Sequence, residues 1–290
     1  MTFDVALKLG RVSNLPTVWT NSLAAAVLVG GAASDWRIWI LILAMSLFYT
    51  GGMFLNDAFD ADIDAVERPE RPIPSGQVTR QTVYALGFAM LVAGIVVVLL
   101  IASATPSIAL MWPLLSAVAL AGMIVFYNWH HKSNPLSPFI MGLCRVLVYV
   151  SSGLCFVAVL PGQLWIGCLI LLCYLIGLTY VAKQENFGKV ENMWPLAFLA
   201  APLAYGLASL GGQPLVGLFV VLLAAWIGVA LWLINRRQPG DIPRAVISLI
   251  AGISLLDAML IASAGAVVAA LVAVAGFGLT LFLQRFVSGT

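Results

Sequence analysis

Apolar segments of about 20 residues follow one another along almost the whole chain, and short polar loops separate them. A helix needs about 20 apolar residues to cross the hydrocarbon core of a bilayer. In total, 62% of the residues are apolar and 9% are charged, against about 25% charged in soluble domains. This pattern excludes an ordinary soluble globule and predicts an all-α integral membrane protein.

We predict ten membrane spans in a single domain that covers residues 1–290. The spans lie near residues 15–33, 37–56, 80–103, 107–128, 137–160, 163–182, 193–210, 214–235, 244–262 and 264–284. The last apolar run, residues 243–283, is about twice as long as one span, and we divide it at the sequence ASAG, residues 262–265. A nine-span arrangement with one broken helix in this run is the alternative.

Basic residues are distributed unevenly between the two predicted sides of the membrane. When successive loops alternate in side, 12 of the 14 Lys and Arg residues fall on the side of the N-terminus. Arg37 falls on the other side and Arg145 lies within a span. Cytoplasmic loops of membrane proteins are enriched in Lys and Arg. We therefore expect a multi-pass protein of the cell inner membrane, or an equivalent membrane, with its main polar loops in the cytoplasm.

The segment FLNDAFDADIDAVERPERPIPSGQV, residues 54–78, concentrates charge where span 2 leaves the hydrocarbon, and it holds six of the 12 carboxylates. Asn56, Asp60 and Asp64 would share one face of a continuous helix, with Asp57 beside that face. Like charges at this spacing repel each other and require a compensating cation. Because carboxylate oxygens and substrate phosphates are the usual ligands of Mg²⁺, we predict a magnesium site rather than a merely solvated helix end.

Two arginines follow the carboxylates in the same segment. Arg68 and Arg71 lie in ERPERPIPSGQ, where three prolines stiffen the chain and prevent a helix from continuing. Guanidinium groups bind the phosphate oxygens that a metal ion leaves exposed. Carboxylates, a divalent metal and arginines together predict a diphosphate site at the membrane surface.

These two motifs resemble those of the UbiA superfamily of intramembrane prenyltransferases. NDAFDADID is similar to the N-D-x-x-D-x-x-x-D signature of that family, and RPERPIPSG is similar to the R-P-[IL]-P-S-G run that follows it. The resemblance implies a bundle of nine or ten transmembrane helices around a lipid-accessible cavity. It also implies Mg²⁺-dependent transfer of an isoprenoid chain from its diphosphate to an acceptor.

The loop after span 4 reads FYNWHHKSNPLSPF. The family commonly carries a Tyr and a Lys here, with the Lys in contact with diphosphate, and Tyr127 and Lys132 match that pattern. An interfacial aromatic belt with a cytoplasmic lysine is the alternative. His130 and His131 point in different directions on a helix, so we interpret them as interface residues rather than as a metal-binding pair.

The loop after span 6, GLTYVAKQENFGKVENMW, lacks the second aspartate-rich motif that the family normally places there to hold a second metal. Glu185 and Glu191 are its acids, and Lys183 precedes them. Either Glu185 with Asn186 forms a weaker second metal site, or Lys183 contacts phosphate directly; we favour the lysine. The departure resembles a branch of the superfamily, the UbiA-like EboC proteins.

Two charged residues lie within predicted spans. Arg145, about eight residues into span 5, is expected near the substrate head group, because intramembrane charges usually face a cavity or a partner. A structural contact with a backbone carbonyl is the alternative. Asp257 in span 9 either serves the function of the protein or faces water on the far side of the membrane.

We expect a Mg²⁺-dependent prenyltransferase whose partners are a prenyl diphosphate, an aromatic or other small acceptor, and the lipid bilayer, without nucleic acid. The residues expected to bind metal are Asn56, Asp57, Asp60, Asp64 and Glu185, and those expected to bind diphosphate are Asn56, Arg68, Arg71, Tyr127, Lys132, Arg145 and Lys183. Asp60, Asp64, Arg145 and Lys183 are the expected catalytic residues. A non-catalytic protein that binds prenyl diphosphate beside partner enzymes is the alternative, and a transporter is disfavoured because the acids lie at the interface rather than at the midplane.

Overall fold

The computed structural model describes residues 1–132, 134–184 and 192–289, and every regular element within these ranges is helical. The α-helices are α1 (Phe3–Leu9), α2 (Leu15–Leu28), α3 (Arg37–Phe59), α4 (Ala61–Glu67), α5 (Arg80–Ser103), α6 (Met111–His130), α7 (Ser137–Leu154), α8 (Gly162–Lys183), α9 (Ala200–Ala208), α10 (Val216–Arg236), α11 (Asp241–Ser263) and α12 (Val267–Leu283). Short 3-10 helices cover Val12–Asn14, Trp194–Leu199 and Ser209–Gly211. The predicted all-α membrane fold is confirmed.

A helical segment occupies each of the ten predicted spans. Among the described residues, eight of these segments are long and apolar enough to cross a membrane, including the irregular segment Trp194–Gly211. The remaining two are shorter, with 14 residues in α2 and 17 in α12. Gly265 has a φ of +84° and turns the chain between α11 and α12. The division predicted at residues 262–265 is therefore a real helix boundary.

Close packing of α3 against α5 fixes the helix that leads into the acidic segment. A side chain on Gly51 would place its Cβ 2.9 Å from the carbonyl oxygen of Gly87, and a Cβ on Gly87 would lie 2.8 Å from the side chain of Leu55. Small residues let membrane helices approach each other to this degree. The C-terminal end of α3 is thereby held in place.

Helix α11 is almost wholly buried and packs against α2, α8, α10 and α12. Two polar side chains of its neighbours bind its backbone. Tyr174 donates its hydroxyl to the carbonyl oxygen of Leu249 at 2.8 Å, and Trp226 donates its indole N–H to that of Ser248 at 2.7 Å. These bonds lock the central helix at the depth where it forms one wall of a cavity.

The start of α2 and the end of α12 lie at the same end of the bundle. Asn14 donates an amide N–H to the carbonyl oxygen of Gly289 at 2.9 Å, and Gln284 donates to the amide oxygen of Asn14 at 3.0 Å. An even number of crossings brings the two ends of a bundle to one side. The contact therefore agrees with an even number of crossings, as in the ten-span prediction.

Candidate active site

A cavity of about 790 Å³ lies within the bundle and is lined by parts of α2, α3, α4, α6, α7, α8 and α11. Helix ends and loops supply most of its polar lining, which includes Arg11, Asn56, Asp60, Asp64, Arg68, Arg71, Tyr127, His131, Lys132 and Lys183. Helix interiors supply its apolar lining, which includes Val18, Met45, Phe48, Leu120, Val148, Leu175, Val246 and Ile253. The cavity therefore has a charged mouth and an interior that is mostly apolar.

The acidic segment bends at Asp60 instead of continuing as one helix. Helix α3 ends at Phe59 and α4 begins at Ala61, so the prediction of a continuous helix is wrong. Backbone hydrogen bonds nevertheless cross the junction, from Asp60 N–H to the carbonyl of Asn56 at 3.0 Å and from Asp64 N–H to the carbonyl of Asp60 at 2.8 Å. Because these bonds preserve a helical path, all three polar side chains still line the cavity.

Arg71 connects two of the carboxylates directly. Its Nη1 lies 2.8 Å from Asp64 Oδ2 and 3.3 Å from Asp57 Oδ1, and Asp57 Oδ1 also lies 3.2 Å from Nη2 of Arg11. Asp57 is buried and is not among the residues that line the cavity. The structure therefore places Asp57 behind the site, where it holds two arginines, rather than beside the other predicted metal ligands.

Asp60 lies near two basic side chains at the end of α6. His131 Nε2 lies 3.4 Å from Asp60 Oδ2, and Lys132 Nζ lies 3.5 Å from the same oxygen. The ring of His131 stacks on that of Tyr127 with 4.9 Å between centroids. His131 therefore belongs to the site, although its sequence position suggested only an interface residue. Its i, i+4 spacing from Tyr127 was the signal that places both on one helix face.

Charge controls the protonation of the groups at the mouth. Burial by itself would raise the pKa of the Asp60 carboxyl, but the hydrogen bond and charge of His131, with Lys132 and Arg71 nearby, lower it overall. Burial would lower the pKa of the Arg71 guanidinium, but Asp57 and Asp64 raise it overall. Both groups are therefore held in their charged forms.

Arg11 is a site residue that sequence reasoning did not identify. It donates through Nη2 to the amide oxygen of Asn56 at 3.2 Å. Asn56 in turn donates to Asn128 Oδ1 at 3.1 Å, and Asn128 donates to the carbonyl of Gly52 at 2.9 Å. This chain of hydrogen bonds fixes the orientation of the Asn56 amide. Arg11 appears in the sequence as one more loop cation, and no spacing links it to residue 56.

Lys183 ends α8 and lines the cavity. Its ammonium group donates to the carbonyl oxygen of Asn134 at 2.7 Å. An ammonium group has three N–H donors, so this bond positions the side chain and leaves donors for an anion. Glu185, the predicted ligand of a second metal, lies outside the described residues.

Arg145 lines the cavity but does not join the acidic cluster. It donates to the amide oxygen of Asn21 at 2.8 Å and to the hydroxyl of Thr17 at 3.2 Å, both on α2. Asp257 is fully buried and accepts hydrogen bonds from Asn21 at 2.8 and 3.0 Å. The alternative that Asp257 faces water on the far side of the membrane is therefore wrong.

The comparison with families of known proteins identifies the family. The model of the UbiA prenyltransferase family matches residues 15–253. The chain belongs to the UbiA prenyltransferase family. The matched range includes both motifs of the acidic segment, the end of α6 and the half-buried Arg145.

Curated relatives of this UbiA-family chain are digeranylgeranylglyceryl phosphate synthases. The protein of Methanopyrus kandleri is 29% identical over 186 residues, which cover 62% of each chain. That of Methanoregula boonei is 34% identical over 125 residues, 43% of this chain and 39% of the relative. That of Sulfurisphaera tokodaii is 39% identical over 74 residues, 24% of this chain and 27% of the relative. The matches thus span less than two thirds of the relatives' lengths.

Solved structures share the fold over most of both chains. A digeranylgeranylglyceryl phosphate synthase structure superimposes with a TM-score of 0.62 at 18% identity, covering 90% of this chain and 97% of the other. The apo structure of a UbiA homologue from Aeropyrum pernix K1 gives a TM-score of 0.63 at 16% identity, covering 87% and 96%. Because the identities are this low, the likeness is evidence for the fold alone, which is the UbiA fold.

The donor set at the mouth fits magnesium when a phosphate completes it. Within the described residues, no group of three or more His, Cys, Asp and Glu side chains has the arrangement of a metal site. Asp60 and Asp64 supply hard anionic oxygens, and Mg²⁺ bound with substrate phosphates needs one or two carboxylates. The residues of this UbiA-family chain therefore fit a metal ion that binds together with a diphosphate.

Proposed function

We propose that this protein is a prenyltransferase that moves an isoprenoid chain from a prenyl diphosphate to a small acceptor with the help of Mg²⁺. One observation carries the proposal: the carboxylates of the acidic segment line the mouth of an apolar cavity together with arginine and lysine side chains. A substrate that matches this lining has an anionic head and a long hydrocarbon tail. A prenyl diphosphate has both.

The cations at the mouth would stabilise the departing diphosphate. As the bond between C1 of the chain and the diphosphate oxygen breaks, negative charge grows on the leaving oxygens. Arg68, Arg71, Lys132 and Lys183 all line the cavity there. Fixed cations in a site shielded from water stabilise such growing charge most strongly in the transition state.

Asp60 and Asp64, with the amide oxygen of Asn56, would hold the magnesium ion. A magnesium ion held there would supply positive charge that offsets the charge developing on the leaving group. Asp64 pairs with Arg71, and Asp60 lies near His131 and Lys132. The positive charges of Lys132 and Arg71 favour the anionic form of Asp60, which is the form that binds a divalent ion.

The other half of the reaction concerns the allylic cation that remains on the chain. The ring of Tyr127 lines the cavity beside the polar mouth, and aromatic faces stabilise nearby cations. The apolar wall excludes water, which would otherwise capture the cation. A nucleophilic atom of the acceptor then bonds to C1 and loses its proton to the released diphosphate or to water, so the products are the prenylated acceptor and diphosphate.

The distribution of basic residues suggests the side of the membrane on which the mouth opens, and the relatives suggest which substrates to test first. The excess of Lys and Arg on one side supports a cytoplasmic mouth. The relatives are named for a product that is a glyceryl phosphate with two geranylgeranyl chains. We therefore choose geranylgeranyl diphosphate as the first donor to test, and a glyceryl phosphate with one geranylgeranyl chain as the first acceptor.

The test is transfer of radiolabelled geranylgeranyl groups by the purified full chain in lipid nanodiscs, with and without Mg²⁺. The expected result is a labelled lipid product and an equal amount of released diphosphate, both dependent on the metal. The acceptors compared would include the mono-geranylgeranyl glyceryl phosphate and 4-hydroxybenzoate. Tight binding of the donor without turnover on any acceptor would instead favour a non-catalytic binding protein.

A further inference from the structure

Deeper in the bundle than the acidic segment, Arg145 and Asp257 are joined through the side-chain amide of Asn21. We propose that Arg145 forms the subsite for an anionic group of the acceptor, a phosphate in the first instance, and that Asp257 is a positioning residue that acts on Arg145 through Asn21. The inference rests on the proposed prenyl transfer and adds the chemical class of the acceptor.

Three helices contribute to this network. Arg145 on α7 donates to the amide oxygen of Asn21 on α2 at 2.8 Å. The amide nitrogen of Asn21 donates to both oxygens of Asp257 on α11, at 2.8 and 3.0 Å. Thr20 donates to Asp257 at 2.6 Å, and the hydroxyl of Tyr149 donates to the same carboxylate. Asp257 is thus surrounded by neutral donors, and the guanidinium is bonded to neutral acceptors.

Arg145 lies apart from the acidic segment. Its guanidinium carbon lies 5.5 Å from the ring centroid of Tyr49. Tyr49 precedes Asn56 on α3 by two helical turns, about 10 Å along the helix axis. An acceptor whose anion binds Arg145 would therefore place its reacting oxygen between this arginine and the metal-binding carboxylates, where C1 of the prenyl chain must lie.

Charge balance favours an anion at this subsite. Within the described residues, Arg145 reaches the carboxylate of Asp257 through the amide of Asn21 rather than through a direct ion pair. An unneutralised guanidinium on the cavity wall would repel the allylic cation, since charges interact strongly where water is excluded. A bound acceptor phosphate cancels that charge and uses the N–H donors that the two hydrogen bonds to α2 leave over.

Asp257 sets the orientation of Asn21. An amide side chain can present either its oxygen or its nitrogen to a neighbour. The carboxylate of Asp257 accepts from the nitrogen, so the oxygen is directed at Arg145. With a neutral amide in place of the carboxylate, Asn21 is free to turn its nitrogen toward the guanidinium, and the arginine loses its fixed direction.

The experiment measures KM and kcat for both substrates with the full chain in nanodiscs. The donor is geranylgeranyl diphosphate, and the acceptors are the mono-geranylgeranyl glyceryl phosphate, the same lipid without its phosphate, and 4-hydroxybenzoate. The wild type is expected to prefer the phosphate lipid over the dephosphorylated lipid by roughly 10- to 100-fold in kcat/KM, the scale of one hydrogen-bonded ion pair. A preference for 4-hydroxybenzoate would assign the same subsite to a carboxylate.

Arg145→Met is expected to remove that preference and to raise the KM for the anionic acceptor by about tenfold or more, with the KM for the donor unchanged. Arg145→Lys should restore part of the preference. Asp257→Asn and Asn21→Ala should raise the same KM, and the second variant tests the link even where the first does not fold. A rise in the donor KM, or an unchanged acceptor preference in Arg145→Met, would overturn the inference.

Arg37→Met and Asp241→Asn are the matched controls, because neither residue lines the cavity and each forms an ion pair elsewhere. They are expected to lower thermal stability without changing acceptor preference. If the wild type transfers no chain to any acceptor, the proposed function fails, and equilibrium binding of the phosphate lipid then tests the subsite alone. Weaker binding in Arg145→Met than in Arg37→Met supports it, and equal dissociation constants refute it.

Discussion

The mouth and the interior of the cavity both pair arginine with aspartate, but they do so in different ways. At the mouth, Arg71 contacts Asp64 directly at 2.8 Å. In the interior, Asn21 stands between Arg145 and Asp257. Under the proposed function, the direct ion pairs at the mouth would exchange partners when a metal ion and a diphosphate bind. An amide-linked pair in the interior instead holds its charges at fixed positions.

The difference is also one of access. Asp60 and Asp64 line the cavity, where a ligand can reach them, although little of either side chain is exposed. Thr20, Asn21 and Asp257 are buried and do not line the cavity, so a bound ligand does not replace their hydrogen bonds. We therefore expect substitutions at the mouth to affect chemistry and metal dependence, and substitutions in the interior to affect acceptor recognition.

The largest expected effect comes from the carboxylates at the mouth. Asp60→Asn and Asp64→Asn each remove an anionic oxygen ligand while keeping nearly the same shape, so we expect the transfer rate to fall by roughly 10²- to 10³-fold. The measurement is Mg²⁺-dependent product formation at equal amounts of inserted protein. Asp62→Asn is the matched control, because the Asp62 side chain is 83% exposed and pairs with Arg80 outside the cavity. Full activity in either test variant would reject the metal assignment.

The next effect concerns Lys183. Lys183→Met is expected to slow transfer by roughly 10- to 100-fold, because an ammonium that faces the leaving diphosphate is lost from a site shielded from water. Added Mg²⁺ should not restore the rate. Glu185→Gln should cost less, and a Mg²⁺ titration of both variants separates the two alternatives. Wild-type behaviour of Lys183→Met, together with rescue of Glu185→Gln by excess metal, would assign a second metal site to Glu185.

A smaller effect is expected on the pH dependence of stability. The folded pKa of Asp60 is lowered, so its ion pairs stabilise the fold above its unfolded pKa of about 3.9, and this contribution disappears as the pH falls through the lower folded value. Thermal unfolding of the wild type and of Asp60→Asn should therefore differ most near pH 6 and converge toward pH 3. A difference that stays constant over this range would contradict the ion-pair arrangement.

The smallest perturbation tests topology alone. Cysteines introduced at Ser75 and Gln238, in a chain without its four native cysteines, should react with a membrane-impermeant reagent from the cytoplasmic side. A cysteine at Gln213 should react from the other side. Because these are loop positions, activity should be nearly unchanged. Labelling of the cysteine at position 213 from the same side as the one at position 75 would contradict the ten-span topology.

The spans and the acidic motif were predictable from sequence because each depends on local information. A run of about 20 apolar residues specifies its own helix, and the spacing of Asn56, Asp60 and Asp64 places them near one another. The bend at Asp60 was missed, because the spacing fits a continuous helix equally well. The assignments of individual site residues to metal or phosphate stay predictions.

The contacts between distant segments could not be predicted. Arg11 meets Asn56 across 45 residues, and Asn21 meets Asp257 across 236 residues. Neither pair has a spacing that marks it, since both contacts depend on how whole helices pack. The role of His131 was easier to predict, because its i, i+4 spacing from Tyr127 places it on the helix face that lines the cavity.

The long separation between Asn21 and Asp257 has a consequence for biogenesis. During synthesis α2 enters the bilayer long before α11 is made. Thr20 and Asn21 therefore lack the Asp257 carboxylate as a hydrogen-bond partner during that time, and unpaired polar groups are costly in lipid. We expect the ring of helices to close late, when α11 inserts between its neighbours. Disulfide trapping between cysteines at positions 21 and 257 during pulse-labelled translation should detect closure after α11 has emerged, and an earlier compact intermediate would show a different order of assembly.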